Sequence, residues 1–136
     1  PELWAVGNAL PQAQQLADRP GRGVFAAMKR LALDHRLYVA GSHLESGEDG
    51  TIYNRAVLYD PIGAEIAAYR KVHLFRPMGE ANYLAAGRIA PVWDLPWGKT
   101  ALAVCYDLRF PELFRVFREA GAELLILPAE WPIQRV

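Results

Sequence analysis

The chain has 136 residues, 52% hydrophobic and 22% charged, the balance of one globular domain able to bury a core. Fifteen basic and fifteen acidic side chains cancel, so nothing favours nucleic acid or an anionic membrane surface, and no run of about 18 apolar residues suggests a transmembrane helix. The single cysteine, Cys105, cannot form an internal disulfide, which fits a reducing, cytoplasmic location.

The chain begins irregularly and becomes helix-compatible at Pro11–Ala17. Asp18–Gly23 (DRPGRG) is a loop by its Pro and Gly content. Val24–His35 is a predicted helix, with Val24, Met28 and Leu31 on one apolar stripe. Leu37–Leu44 and Thr51–Tyr59 read as strands around a turn at Glu45–Gly50. Asp60-Pro61-Ile62-Gly63 is a further turn, and Ala64–His73 a third strand, so an antiparallel hairpin is expected. Leu74–Arg88 is a long irregular stretch, and such loops inside compact domains tend to carry function. Ile89–Asp94 is a short strand. Pro96-Trp97-Gly98 then turns into a buried strand, Thr100–Cys105. The helix Phe110–Ala120 places Phe110, Leu113, Phe114 and Phe117 on one face, with Pro111 in its first turn and Gly121 at its stop. Glu123–Leu127 is another buried strand, and strand–helix–strand with apolar strands predicts a parallel βαβ unit. The chain opens at Pro1 and stops at Val136 after an irregular tail. Both ends read as cut, which predicts that residues 1–136 are part of a longer domain.

Cys105 carries the sharpest chemical signal. A lone thiol can be a buried core residue. Its place at the mouth of a buried strand, just before a helix, also suits a rigidly held nucleophile near helix N–H groups. A thiol nucleophile needs a base and an oxyanion stabiliser. Of the three histidines, His35 ends a helix and suits a cap, and His43 lies on a strand and suits the core. His73 follows Lys71 by two residues, so on a strand both would face the same side. A Cys105–His73 dyad and a Cys105–Lys71 pairing both stay open, as does a carboxylate base from Glu2, Glu80 or Glu112. A redox-sensor role would ordinarily need a resolving thiol, and the chain has no second cysteine.

Two segments resemble the lysine and cysteine motifs of the nitrilase (carbon–nitrogen hydrolase) superfamily. They are Tyr69-Arg70-Lys71-Val72-His73-Leu74-Phe75 and Ala103-Val104-Cys105-Tyr106-Asp107-Leu108-Arg109-Phe110-Pro111-Glu112-Leu113. Pro1-Glu2-Leu3 is similar to the end of that family's glutamate motif, and Gly79-Glu80 to its second glutamate. Leu127-Pro128-Ala129-Glu130-Trp131-Pro132 resembles its substrate-side loop. The five matches follow the family's order.

The resemblance implies an α/β fold of the αββα four-layer sandwich type, truncated at both ends. It implies a catalytic set of Glu2 as base, Lys71 as oxyanion partner and Cys105 as nucleophile. Glu80 and the Tyr106 backbone N–H would support them, and Glu130 and Trp131 would face substrate. No cofactor and no metal is called for. His73 becomes structural, and Asp107 and Arg109 are expected to fix the turn after the cysteine. The substrate implied is a small amide. The loop HLFRPMGEANYLAAG is similar to the ω-amidase-like branch, whose substrates are short dicarboxylate monoamides such as 2-oxoglutaramate, with Arg76 or Arg88 as candidate partners for a substrate carboxylate. Hydrolysis of N-carbamoyl amino acids or polyamine amides is the alternative, as is an inactive, truncated interaction module. The family pattern further implies a homodimer or higher homo-oligomer, with the helix after Cys105 at or near the interface.

Overall fold

A computed structural model describes residues 1–131; Pro132, the last residue of the quoted loop motif, lies outside them. Three strands, β1 (Val39–Ser46), β2 (Ile52–Tyr59) and β3 (Glu65–Arg70), form an antiparallel meander in the order β1-β2-β3. A second sheet pairs β4 (Val92–Leu95) with β5 (Gly98–Leu102) as a hairpin and β5 with β6 (Leu124–Ile126) in parallel. A short helix, α1 (Ala13–Leu16), precedes α2 (Gly23–His35), and α3 (Pro111–Glu119) supplies the expected crossover from β5 to β6.

Alternation along the strands builds the layers. Ala56, Leu58, Ala67 and Tyr69 point into one core cluster with Ala101–Val104 of the second sheet's segment and Leu113 and Phe117 of α3. Val57, Tyr59 and Ala68 point the other way, onto Phe25, Met28 and Ala32 of α2. The order is helix, sheet, sheet, helix, as the resemblance implies. The buried face of α2 is turned by about one residue from the expected stripe: Phe25, Met28 and Ala32 are inside, while Leu31 is 44% exposed. The large Phe25 ring takes the centre of the contact. No helix among the described residues is long and apolar enough to cross a membrane.

Asp18 ties α2 to the first sheet. Its backbone pairs with the edge of β1, donating to the Leu44 carbonyl (3.0 Å) and accepting from the Ser46 N–H (2.8 Å). Its carboxylate accepts the Val24 N–H in the first turn of α2 (2.7 Å) and lies 3.1 Å from His43 Nε2. Gly23 has φ +47°, and a Cβ there would fall 2.0 Å from the Asp18 carboxylate. Gly23→Ala is expected to lower stability by about 2 kcal/mol or more, combining left-handed strain with the clash, as measured by urea unfolding.

His43 is fully buried and meets Phe25 edge-on at 5.5 Å. Burial lowers its pKa from the ordinary 6.5, and Asp18 only partly offsets this. Below pH 6.5 the unfolded chain therefore takes up a proton that the folded chain resists. Stability should fall as pH drops through that value, with a smaller slope in His43→Gln.

Candidate active site

The expected third strand stops early, at Arg70. Lys71 follows on an irregular segment that stays attached to β2, its N–H donating to the Asn54 carbonyl (2.8 Å). Its own carbonyl accepts from Gly87 (2.8 Å), where any Cβ would fall 2.1 Å from the Arg70 carbonyl oxygen. Only glycine allows that loop to lie so close.

The Lys71 side chain is 2% exposed and sits between two carboxylates. Nζ donates to Glu2 Oε1 (2.7 Å) and to Glu80 Oε2 (2.9 Å) and Oε1 (3.1 Å). Burial pushes its pKa down, but the Glu2 and Glu80 charges and hydrogen bonds outweigh this, so the net shift is upward and the ammonium stays charged. Glu80 also accepts the Phe75 N–H. Glu2 is held in place as well. It is 9% exposed, and the buried Leu3 beside it donates its N–H to Ser42 Oγ on β1 (2.9 Å). The sequence reading missed Asn54, whose Nδ2 donates to Glu2 Oε1 (2.7 Å) and reaches Glu80 Oε1 (3.4 Å).

Cys105 lies beyond the end of β5, which stops at Leu102 rather than at the cysteine. The parallel ladder continues irregularly: Ala103 N–H donates to Ile126 O (3.1 Å) and Cys105 N–H to Pro128 O (3.0 Å). Cys105 then opens a five-residue 3-10 turn, Cys105–Arg109, so the α3 N-terminus does not follow it directly. Its φ is +42°. Leu3, at +46°, is another of the three non-glycine residues with positive φ among the described residues. Backbone strain is thus concentrated at this site, a common feature of functional centres. The thiol donates to the Glu130 carbonyl (3.4 Å). Burial, with the Glu2 carboxylate beside it, pushes its pKa up to about 11.

Asp107 fixes the turn. Fully buried, it accepts the Val104 N–H (2.9 Å), the Tyr69 hydroxyl (2.8 Å) and the His73 N–H (2.9 Å), and lies 2.9 Å from His73 Nδ1. His73 also stacks on Phe110 with ring centroids 3.7 Å apart. It does not share a strand face with Lys71, because the strand has already ended. Lys71 turns to the carboxylates and His73 to Asp107.

A cavity of about 150 Å³ opens on Glu2, Lys71, Glu80 and Cys105, with Tyr106, Arg109, Glu130 and Trp131 also in its wall. Glu2, Lys71, Glu80, Cys105, Tyr106, Glu130 and Trp131, the residues that the family resemblance pointed to, therefore line one space. Glu112, on the first turn of α3, is exposed and outside it. Arg76 is likewise absent from this wall, and Arg88 lines a separate cavity with Arg55 and Arg70. Arg109, expected only to hold the turn, lies 5.2 Å from the Trp131 ring centre and has no carboxylate partner among the described residues. Its position in the wall depends on the turn's three-dimensional path, which spacing did not give. Among the described residues no three His, Cys, Asp or Glu side chains converge to hold a metal ion.

The family model for carbon-nitrogen hydrolases matches residues 1–135. The chain belongs to this family. It is 36% identical to the 2-oxoglutaramate amidase of Bacillus subtilis (strain 168) over 136 residues, covering 100% of this chain and 52% of that protein. It is 30% identical to the omega-amidase NIT2 of Homo sapiens over 108 residues, 74% of this chain and 39% of that protein. Among solved structures it is similar to XC1258 from Xanthomonas campestris, a CN-hydrolase superfamily protein with an arsenic adduct in its active site. That match has TM-score 0.85 and 28% identity and covers 99% of this chain and 52% of the other. A mutant amidase from Nesterenkonia sp. AN1, with acrylamide added at its active-site cysteine, matches with TM-score 0.81 and 28% identity, over 95% of this chain and 51% of that one. The chain thus spans about half the length of three of these proteins and 39% of the omega-amidase.

The carboxylate that joins the lysine and cysteine segments is testable. Asp107→Ala leaves several buried donors unmet and is expected to cost about 3 kcal/mol or more in urea unfolding.

Proposed function

We propose that this protein is a small-molecule amidase that releases ammonia through a thioester on Cys105. The observation that carries the reading is the Cys105 thiol beside a Glu2 carboxylate that is itself bound to a buried Lys71 ammonium, all on one cavity. With its pKa pushed up to about 11 the thiol is protonated near neutral pH, so attack needs a base at hand. Glu2 takes that proton as Sγ attacks the amide carbon. The Lys71 ammonium and the Tyr106 N–H, which as the second residue of its turn lacks an intrahelical acceptor, stabilise the oxyanion. Collapse breaks the C–N bond, and Glu2 returns the proton to the departing ammonia. Glu2 then deprotonates a water that attacks the thioester. The C–S bond breaks, the acid product leaves, and the thiol is restored. Glu80 holds Lys71 in place through two contacts.

The substrate class we infer is a short dicarboxylate monoamide such as 2-oxoglutaramate. Relatives named 2-oxoglutaramate amidase support it, as does a cavity-wall arginine, Arg109, whose charge no carboxylate among the described residues pairs. Trp131 and the Glu130 backbone form the substrate-side wall. The reading extends to a homodimer in a reducing, cytoplasmic compartment. The unpaired cysteine and the exposed Val116 on α3 support it.

In the intact protein, Cys105→Ala and Lys71→Ala are expected to abolish ammonia release from 2-oxoglutaramate, while His73→Asn keeps measurable activity. Ammonia release from an N-carbamoyl amino acid, a polyamine amide and a nitrile should be far slower. Arg109→Ala should raise KM for the carboxylate-bearing substrate about tenfold or more and leave a neutral amide nearly unaffected. A dead His73→Asn beside an active Lys71→Ala would sink the assignment. No ammonia from any amide would leave the interaction-module reading.

A further inference from the structure

Asn54 lies on β2, fully buried, with one half of its amide turned to the site and the other unmet. Nδ2 donates to Glu2 Oε1 at 2.7 Å and reaches Glu80 Oε1 at 3.4 Å. Oδ1 has no hydrogen-bond partner among the described residues. An amide could be turned over to exchange these atoms. Here that would aim a carbonyl oxygen at two carboxylates, which repel it. Charge therefore fixes the orientation and leaves a buried acceptor unmet, an uncommon arrangement that points to a demand from the site.

That demand is visible at Glu2. Its Oε1 takes two donors, the Lys71 ammonium and the Asn54 amide, each at 2.7 Å. Oε2 takes neither of these bonds, and the carboxylate lies beside the Cys105 thiol. Lys71 is shared with Glu80, so Asn54 is the anchor on Glu2 that adds no further charge. Two carboxylates beside one ammonium leave an excess negative charge, and a neutral N–H donor between them relieves the repulsion without adding charge.

We propose that Asn54 is a positioning residue for the base: it pins Glu2 by Oε1 so that the opposite oxygen faces the Cys105 thiol. The role rests on the reading of Glu2 as the base. It goes beyond that reading by naming what orients the carboxylate, from a residue 52 positions away in the chain. The groups facing Glu2 are Lys71, Asn54 and Cys105, with Glu80 across Lys71.

The chain's single cysteine makes the test specific. In protein labelled with carbon-13 at the cysteine Cβ, one NMR signal reports thiol ionisation, with circular dichroism following the fold at each pH. The unmodified protein should titrate near 11, because burial and the Glu2 carboxylate beside the thiol both hold the proton on it. Asn54→Leu keeps the volume and removes the donor. It frees the carboxylate to swing away, so the midpoint should fall by about one pH unit. Glu2→Gln should lower it at least as far. Asn54→Ser, which keeps a short donor, should lie between Asn54→Leu and the unmodified protein. If Asn54→Leu fails to fold, Asn54→Ala carries the same expectation. In the ammonia-release assay, Asn54→Leu should lower kcat about tenfold or more with little change in KM. A midpoint unchanged in Asn54→Leu or Asn54→Ala but lowered in Glu2→Gln overturns the role of Asn54 alone. A midpoint unchanged in Glu2→Gln removes Glu2 from the thiol and overturns both readings.

Discussion

The buried ammonium of Lys71 is the contact on which the site depends. It draws together Glu2 near the chain start, Glu80 in the long loop after β3 and the end of β3 itself. A cation this far from water is tolerable only with charge partners, and removing one leaves the rest uncompensated. The surrounding folding serves to deliver those partners. Ser42 holds the backbone beside Glu2, Gly87 lets the loop press against β3, and Asn54 spans the two carboxylates.

The thiol is presented by a second device. The parallel pairing of β5 with β6 continues past the regular strands, through Cys105 and Pro128, and so carries the segment at 128–131 along with the cysteine. Asp107 then locks the turn to the lysine segment through Tyr69 and His73. The two sheets meet through Ala56, Leu58, Ala67 and Tyr69 against Ala101–Val104. The catalytic chemistry inferred here spans that join, with base and ammonium from one sheet's side and nucleophile from the other's. Small alanines at the join let the sheets approach closely, and Tyr69 turns a core position into a hydrogen-bonded brace.

Much of this was legible from residue order. The helix at 24–35, three strands with an antiparallel hairpin among them and the βαβ unit around α3 followed from residue patterning and from Pro and Gly punctuation; the full β1-β2-β3 order came from the structure. Segment resemblance named Glu2, Lys71, Glu80, Cys105, Tyr106, Glu130 and Trp131 as candidates, and these share one cavity wall. Where elements end was less legible. β3 and β5 both stop before the residues that matter, because Lys71 and Cys105 need irregular backbone to leave the sheets. The face of α2 was misplaced by a residue because a stripe gives several equivalent arcs, and the size of Phe25 chose among them.

Apolar spacing and short motifs are local properties, so residue order carried the architecture and named the candidate site residues. How those residues divide their contacts depends on the three-dimensional path of the chain. Strand ends send Lys71 to the carboxylates and His73 to Asp107, although the two lie two residues apart. The path of the turn brings Arg109 into the cavity wall and leaves Arg76 and Arg88 out of it. An asparagine on a middle strand carries no signal in a sequence. Its meaning comes from two carboxylates that other parts of the chain bring within hydrogen-bonding distance, where charge dictates which end of its amide must face them.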